Sequence, residues 1–344
     1  MKRFVPTLHV FNPWHDEALA FGSPLYCPSL TARRWAGRME RLPLVWAAAD
    51  DAVLAADGRL LTAEGALVAE DAEIGRVCPW GWDALLCRIL SKAGVDGRRL
   101  PDDAAIADIR ALSHRRHAAW LLERLLPDTP IYIGRVREVG TMAEIDCLMR
   151  QWGPLVLKSP WSGSGRGVWK LLPDAPETFR SRAERVIRLQ GSVMVEPLYA
   201  RHQDFGMEFE ARADGTVAYC ALSLFSTTAG GEYTSSWLLP DEAAARNVEG
   251  IAPDALRTLA RRLTTLLAEL LQGRYVGPLG VDMMTVEAGG ELRLHPAVEV
   301  NLRQTMGHAA ARFLARYPET TGRRLTPEEM LNYASGRPQS AKFS

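Results

Sequence analysis

Cysteine is scarce in this 344-residue sequence and is not arranged in pairs. The count is odd, no Cys-x-x-Cys motif occurs, and the five cysteines are Cys27, Cys78, Cys87, Cys147 and Cys220. Such scattered spacing favours reduced thiols over a disulfide framework or a cysteine-based zinc site.

The sequence also lacks an excess of charge and long apolar runs. It carries 41 basic and 41 acidic side chains, so no global field draws it to nucleic acid or to an anionic membrane. No uncharged stretch approaches the roughly 18 residues of a membrane span, and the first residues lack the apolar segment of a secretion signal. We therefore expect a cytoplasmic protein without nucleic-acid or membrane partners, in which any phosphate binding is local.

The length of the chain exceeds what one hydrophobic core usually serves, so more than one domain is expected. Hydrophobic residues make up 47% of the sequence, as in ordinary soluble globular proteins. We place a domain boundary near residues 108–112. This gives an N-terminal α/β domain over residues 1–111, a second domain over 112–335 and a polar tail over 336–344.

Strand and helix patterns alternate along the chain and predict an α/β fold. Residues 7–11, 44–46 and 131–139 are predicted strands, the last because it is rich in β-branched residues. Ser113 is the predicted N-cap of a helix that extends to about residue 126.

Two later segments have clear local signals. Thr141 and Glu144 have the spacing of a capping box, which predicts a helix from there to residue 152. Strands at residues 280–287 and 291–300 are predicted to form a hairpin that turns at Gly289–Gly290.

The sharpest local feature is a glycine-rich loop that directly follows a predicted strand at residues 155–157. It comprises Lys158, Ser162, Gly163, Ser164, Gly165, Arg166 and Gly167. The glycines let backbone amides turn toward phosphate oxygens, and Lys158 and Arg166 add positive charge. The loop is neither a Walker A sequence nor a dinucleotide fingerprint, because it leads into a strand. On its own it is equally compatible with a phosphate-binding loop and a flexible hairpin loop.

A second set of polar residues lies more than a hundred residues downstream, on the predicted hairpin. Glu299 and Asn301 are two apart and therefore point to the same face of a strand, and pairing of the hairpin brings Asp282 beside them. Two carboxylates and an amide form an all-oxygen site suited to Mg²⁺, which commonly takes waters and substrate phosphates as further ligands. The alternative is a solvated strand end.

The loop and the hairpin, in this order, resemble the ATP-grasp superfamily. Lys158 and its loop look like those of biotin carboxylases, and residues 299–303 are similar to the Glu-x-Asn-x-Arg of that branch. The resemblance covers about residues 112–335. It implies two α/β subdomains, over about 112–200 and 201–335, that sandwich ATP and follow an N-terminal pre-ATP-grasp α/β domain.

The same resemblance implies roles for further residues. Glu196 and Leu198 lie in the hinge segment that pairs with the adenine, and Asp204 or Glu208 would grip the ribose. The family often has an earlier lysine that reaches the phosphates, where this sequence has Arg115. A guanidinium can serve the same anion bidentately.

The resemblance implies a ligase that uses ATP and Mg²⁺. A substrate carboxylate would attack the γ-phosphate to give an acyl phosphate, and an amine (or thiol) would then displace phosphate. Asp282, Glu299 and Asn301 would hold the metal, and Lys158 would hold the phosphates in line. Two alternatives are a biotin-carboxylase-like activation of bicarbonate and a nucleotide-binding regulatory module without turnover. A homodimer is compatible with each of these functions.

Three residues are candidates for the acceptor site. Arg303 would bind the substrate carboxylate and the oxyanion of the tetrahedral intermediate, unless it is a surface arginine in a polar turn. His15 and Asp16 directly follow the first predicted strand, where ligand sites of α/β units form. His15 could act as a general base for the amine, or the Asn-Pro segment before it could simply cap a helix.

Overall fold

Three β-sheets organise the chain, of which the computed structural model describes residues 4–62, 65–68, 72–162, 167–228 and 230–336. The first sheet has the order β3-β2-β1-β4 and joins β1 (Phe4–Val10), β2 (Ala52–Leu54), β3 (Leu60–Thr62) and β4 (Glu73–Pro79). Strand β1 is parallel to both β2 and β4. Because parallel neighbours end at the same edge of a sheet, the loops after β1 and β4 lie together.

The second sheet is antiparallel and carries the glycine-rich loop. Its order is β5-β8-β6-β7, formed by β5 (Arg137–Val139), β6 (Leu155–Lys158), β7 (Val168–Leu171) and β8 (Val193–Pro197). Strands β6 and β7 are the two arms on either side of the loop, and their register pairs Lys158 with Val168.

The third sheet is also antiparallel and is the largest. Its order is β13-β12-β9-β10-β11-β14, formed by β9 (Ala200–Ala211), β10 (Val217–Thr227), β11 (Tyr233–Trp237), β12 (Gly277–Ala288), β13 (Glu291–Asn301) and β14 (Arg324–Leu325). Apolar side chains such as Phe205, Val281 and Met283 are fully buried in its core. Since side chains alternate along a strand, the neighbouring positions face the other way and carry the polar groups.

Eleven α-helices are described besides these strands. They are α1 (His15–Phe21), α2 (Leu30–Met39), α3 (Ala84–Lys92), α4 (Asp103–Leu112), α5 (Arg116–Leu125), α6 (Met142–Trp152), α7 (Glu177–Gln190), α8 (Asp241–Arg246), α9 (Pro253–Leu271), α10 (Met306–Arg316) and α11 (Pro327–Ala334). Short 3₁₀ helices cover Leu42–Val45, Gly97–Arg99, Leu126–Asp128 and Pro318–Thr320. Within the described residues, no helix combines the length and the apolar character needed to cross a bilayer.

The predicted α/β class is confirmed, and so are the elements with the clearest local signals. Thr141 caps α6 by accepting from the Glu144 amide, and the Glu144 carboxylate accepts from the Gly140 amide. The β12–β13 hairpin turns at Gly289 and Gly290, whose φ angles of 65° and 83° suit a tight hairpin.

Three predicted elements are wrong in whole or in part. Residues 44 and 45 belong to a 3₁₀ helix that Trp46 caps, and not to a strand; Pro43 lies in the first turn of this helix, where the missing N–H of proline breaks no helical hydrogen bond. Ser113 is the C-cap of α4, and α5 begins only at Arg116. Residues 131–139 contain only the short strand β5 and an isolated bridge from Tyr132 to Leu294.

Candidate active site

The polar face of the third sheet brings the predicted metal-binding residues together. In the register of the sheet, Glu299 lies opposite Asp282, and Asp282 lies opposite Gly206. Residues directly opposite each other in an antiparallel pair project from the same face. The two carboxylates are therefore neighbours, and Gly206 leaves space beside them.

Asp282 and Asn301 are in direct contact on this face. The Asn301 Nδ2 atom donates to Asp282 Oδ2 at 3.0 Å. Burial, followed by the charges of Glu299 and Glu208, raises the pKa of Asp282 to about 7. The carboxylates thus crowd one another in a buried place, which is the electrostatic condition that a bound cation relieves.

Asp282, Glu299 and Asn301 fit part of the ligand set of a Mg²⁺ ion. Among the described residues, no three His, Cys, Asp or Glu side chains cluster as a metal centre built by protein alone would require. Two carboxylates and an amide oxygen are a partial set of hard oxygen ligands, as Mg²⁺ uses when phosphates and waters supply the remainder.

Lys158 reaches this face from the second sheet. Its Nζ atom lies 2.6 Å from Glu196 Oε1, and both side chains are buried. The same Nζ atom lies 3.5 Å from the carbonyl oxygen of Val298, the residue before Glu299. The cation that begins the glycine-rich loop is therefore adjacent to β13.

Arg115 links the loop to the carboxylates. Its Nη2 atom lies 2.8 Å from Glu299 Oε1 and donates to the Ser162 carbonyl oxygen and to Ser162 Oγ, at 3.1 and 3.2 Å. Its Nε atom is buried and has no hydrogen-bond partner in the described part of the chain. A buried guanidinium N–H without a partner is expected to bind an anion when one arrives.

The two ends of the glycine-rich loop are close together. The Ser159 amide donates to the Gly167 carbonyl oxygen at 2.8 Å. A Cβ atom on Gly167 would lie 2.1 Å from Ser162 Oγ, so only glycine fits at that position. The predicted phosphate-binding residues between them, Gly163, Ser164, Gly165 and Arg166, lie outside the described residues.

The predicted hinge and ribose residues occupy different environments. The Leu198 amide donates to the Pro154 carbonyl oxygen at 2.8 Å, and the Glu196 side chain is paired with Lys158. Asp204 accepts from Thr227 Oγ1 at 2.7 Å and is paired with Arg201 at 3.0 Å. Along β9, Asp204 and Glu208 lie on opposite sides of Gly206, so the two candidate ribose ligands are at opposite ends of the polar face.

Asp16 and Arg303 connect the N-terminal unit, defined here as residues 4–111, to the end of β13. Arg303 Nε donates to both carboxylate oxygens of Asp16, at 3.1 and 3.2 Å, and Arg303 Nη2 donates to Asn301 Oδ1 at 3.0 Å. Burial alone would raise the pKa of Asp16, but Arg303 and His15 hold it below its ordinary value. Asp16 is therefore an ionised carboxylate that positions Arg303.

His15 directly precedes Asp16 in the sequence but is not part of the Asp16–Arg303 pair. It is 1% exposed, and its ring packs so closely on Gly81 that a Cβ atom there would lie 2.6 Å from His15 Cγ. Asn12 ties the loops after β1 and β4 together through hydrogen bonds to the Gly81 carbonyl oxygen and to Asp83. The polar residues after the first strand thus form a rigid support, from which Asp16 extends toward the third sheet.

A cavity of about 420 Å³ opens above the Arg303 side of the polar face. Asp282, Glu299, Asn301, Arg303 and Asp16 line it together with Glu208. An aromatic wall, defined here as Phe11, Trp35 and Trp80, closes it on the side of the N-terminal unit. The volume is in the range of small-molecule sites.

Several lining residues could not be recognised from the sequence. Trp35 has no motif around it that indicates a site, and Thr305 with His308 reads as an ordinary helix start. A weak signal was available for Trp80, since it directly follows β4, a strand parallel to β1.

The chain is similar in shape to several solved structures. They include a biotin carboxylase complex from Campylobacter jejuni (15% identity, TM-score 0.48, 78% of this chain and 56% of the carboxylase) and a D-alanyl-alanine synthetase A from Vibrio cholerae (13% identity, TM-score 0.49, 98% of each chain). A third is a D-Ala:D-Ser ligase from Enterococcus faecalis, with 12% identity, a TM-score of 0.49 and coverage of 98% and 99%. No protein-family profile and no curated protein matches the sequence.

Proposed function

We propose that this protein is an ATP-dependent ligase with an ATP-grasp site, which activates a substrate carboxylate as an acyl phosphate and transfers the acyl group to an amine. The observation that carries the proposal is the convergence on one strand, β13, of groups from three parts of the chain. Glu299 lies opposite Asp282, Lys158 reaches the Val298 carbonyl oxygen, and Arg115 pairs with Glu299.

The charges of these groups suit the binding of a nucleoside triphosphate. Lys158 and Arg115 are cations at the side of the loop, and each is paired with a carboxylate that phosphate oxygens can replace. Asp282, Glu299 and Asn301 would hold Mg²⁺, which neutralises charge on the β- and γ-phosphate oxygens when bound.

Arg303 is placed to bind the carboxylate of the substrate. Its guanidinium donates to Asp16, the Gln304 carbonyl oxygen and Asn301. A guanidinium has five N–H groups, so two remain beyond these bonds within the described part of the chain. In the proposed reaction they hold the carboxylate in line with the γ-phosphate and later stabilise the oxyanion formed when the amine attacks.

An ADP-release screen of carboxylates crossed with amines tests this proposal. Turnover should depend on ATP, Mg²⁺ and both substrates. Glu299→Gln should lower the rate by roughly 10²- to 10³-fold, because it removes charge stabilisation at the phosphates. Glu291→Gln, a matched change at the exposed end of the same strand, should keep the wild-type rate. ADP release unaffected by Glu299→Gln would contradict the proposal.

A further inference from the structure

Glu208 is a buried carboxylate whose described hydrogen-bond donors are uncharged. It is 3% exposed and accepts from Ser223 Oγ at 2.7 Å and from Thr305 Oγ1 at 2.6 Å. Its described ionic contact is with His308, whose Nδ1 atom lies 3.1 Å from Glu208 Oε2, and no lysine or arginine of the described residues is ion-paired with it. Burying a charge without a counter-charge is costly, even when hydrogen bonds remain.

His308 is the histidine in contact with the Glu208 carboxylate, and it is not a permanent cation. Its Nε2 atom is 3.1 Å from the Phe209 carbonyl oxygen, which can only accept, so Nε2 carries the proton of the neutral ring. The Nδ1 atom then accepts from the Thr305 amide at 3.3 Å. Burial lowers the pKa of His308 and outweighs the opposing effect of Glu208, which favours the neutral ring.

Two glycines keep space around the Glu208 carboxylate. A Cβ atom on Gly307 would lie 1.9 Å from Glu208 Oε1, and one on Gly280 would lie 2.8 Å from Glu208 Oε2. Both hydroxyl partners and Gly307 line the 420 Å³ cavity with Glu208. The Glu208 carboxylate is therefore closely surrounded by these groups where it lines the cavity.

The rest of the cavity favours a cation with an apolar body. Its lining contains five carboxylates (Asp16, Glu208, Glu232, Asp282 and Glu299) and a single cationic side chain, Arg303; Arg303 pairs with Asp16 and Arg115 pairs with Glu299, which leaves Glu208, Glu232 and Asp282 without an arginine or lysine partner among the described residues. The aromatic wall packs edge to face, with ring centroids 5.0 Å apart for Phe11–Trp80 and 6.3 Å for Phe11–Trp35. Aromatic faces attract cations as well as apolar groups.

We propose that the cavity binds a substrate with a protonated amino group, that Glu208 binds this ammonium, and that the aromatic wall contacts the apolar part of the molecule. Glu208 is then a specificity-determining residue of the acceptor side and not a ribose ligand. The identification of the bound molecule as a substrate rests on the proposed ligase function. The prediction that the cavity binds an ammonium does not depend on that function.

Matched pairs of small probes test this assignment. Calorimetric titrations would use 2-phenylethylamine and tryptamine, each beside its N-acetyl form, with wild-type protein, Mg²⁺ and a non-hydrolysable ATP analogue. The amines should bind at least about tenfold more tightly than the uncharged forms, as expected for a charged hydrogen bond. Glu208→Gln should reduce this preference to less than about threefold. Glu210→Gln, the same change two residues along β9 and outside the cavity lining, should retain it.

Three results would overturn the assignment. They are equal or tighter binding of the N-acetyl forms, an unchanged preference in Glu208→Gln, and no binding of either amine at millimolar concentration. The wild-type comparison stands even if the variant does not fold. Binding of the nucleotide analogue is recorded in the same samples: amine binding without nucleotide binding refutes the ligase and keeps the ammonium site, whereas the reverse refutes only the ammonium site.

Discussion

The two ends of the polar face deal with buried charge in opposite ways. At the Lys158 end, the lysine and Glu196 form a buried ion pair at 2.6 Å. At the Glu208 end, a carboxylate of similar burial accepts from two hydroxyls and lies 3.1 Å from His308 Nδ1, and burial lowers the pKa of that histidine. The first end thus holds a permanent cation beside its carboxylate, whereas the second has only a histidine whose neutral form burial favours.

This difference bears on how each ligand binds. A phosphate group at the Lys158 end must replace an existing carboxylate partner, so binding there exchanges one ion pair for another. A cation at the Glu208 end replaces no lysine or arginine of the described residues. The net gain per interaction is therefore expected to be larger for an ammonium at Glu208 than for a phosphate at Lys158.

The largest expected effect is on the stability of the Lys158 end. Lys158→Met leaves Glu196 buried without its counter-charge, which should lower the free energy of unfolding by about 3 to 5 kcal/mol. Urea titration of the ligand-free protein measures this loss. The double variant Lys158→Met/Glu196→Gln should recover part of it, because the two residues interact directly.

Glu208→Gln is the matched control for this comparison. Since no cation is lost there, the free energy of unfolding should change by no more than about 1 kcal/mol. A loss in Glu208→Gln as large as that in Lys158→Met would show that the two ends do not differ.

The next effect concerns the space kept around Glu208. Gly307→Ala places a Cβ atom against the carboxylate, and the forced shift should cost about 1 to 3 kcal/mol. It should also weaken binding of 2-phenylethylamine. Gly97→Ala, where no atom lies within 4 Å of the added Cβ, should change stability by less than about 0.5 kcal/mol. Equal stability of the two alanine variants would argue against the observed packing.

A smaller effect is expected at Asp16, which joins the N-terminal unit to Arg303. The pKa of Asp16 is depressed in the folded protein, so its contribution to stability is present above its unfolded value of about 3.8 and is lost as the pH falls through the folded pKa. Asp16→Asn should cost about 1 to 2 kcal/mol at pH 7 and little at pH 2. Urea titrations at both pH values measure the change, and an equal loss at both would contradict the ion pair.

The sequence predicts the parts of the site that depend on local pattern. Alternation along β12 and β13, with two glycines at the turn, is enough to bring Asp282 beside Glu299 and Asn301. The strand–loop–strand around Lys158 follows from equally local signals. Ser113 lies between two helices and ends α4 instead of capping the next helix, so the local signal predicts the wrong helix end there.

Contacts between distant segments cannot be read in this way. Asp16 and Arg303 are separated by 287 positions, and Glu208 and Thr305 by 97. Such pairs depend on how the sheets pack, which no periodicity records. For the same reason the sequence offers Asp204 and Glu208 as equivalent ribose ligands, although Gly206 separates them toward opposite ends of the face.

A calorimetric titration of the protein with a non-hydrolysable ATP analogue, with and without Mg²⁺, tests the central claim most directly. The account predicts Mg²⁺-dependent binding to the wild type and a loss of that dependence in Asp282→Asn and Glu299→Gln, with Glu291→Gln unchanged. Absence of binding by the folded wild type, or Mg²⁺-dependent binding that survives both substitutions, would contradict it.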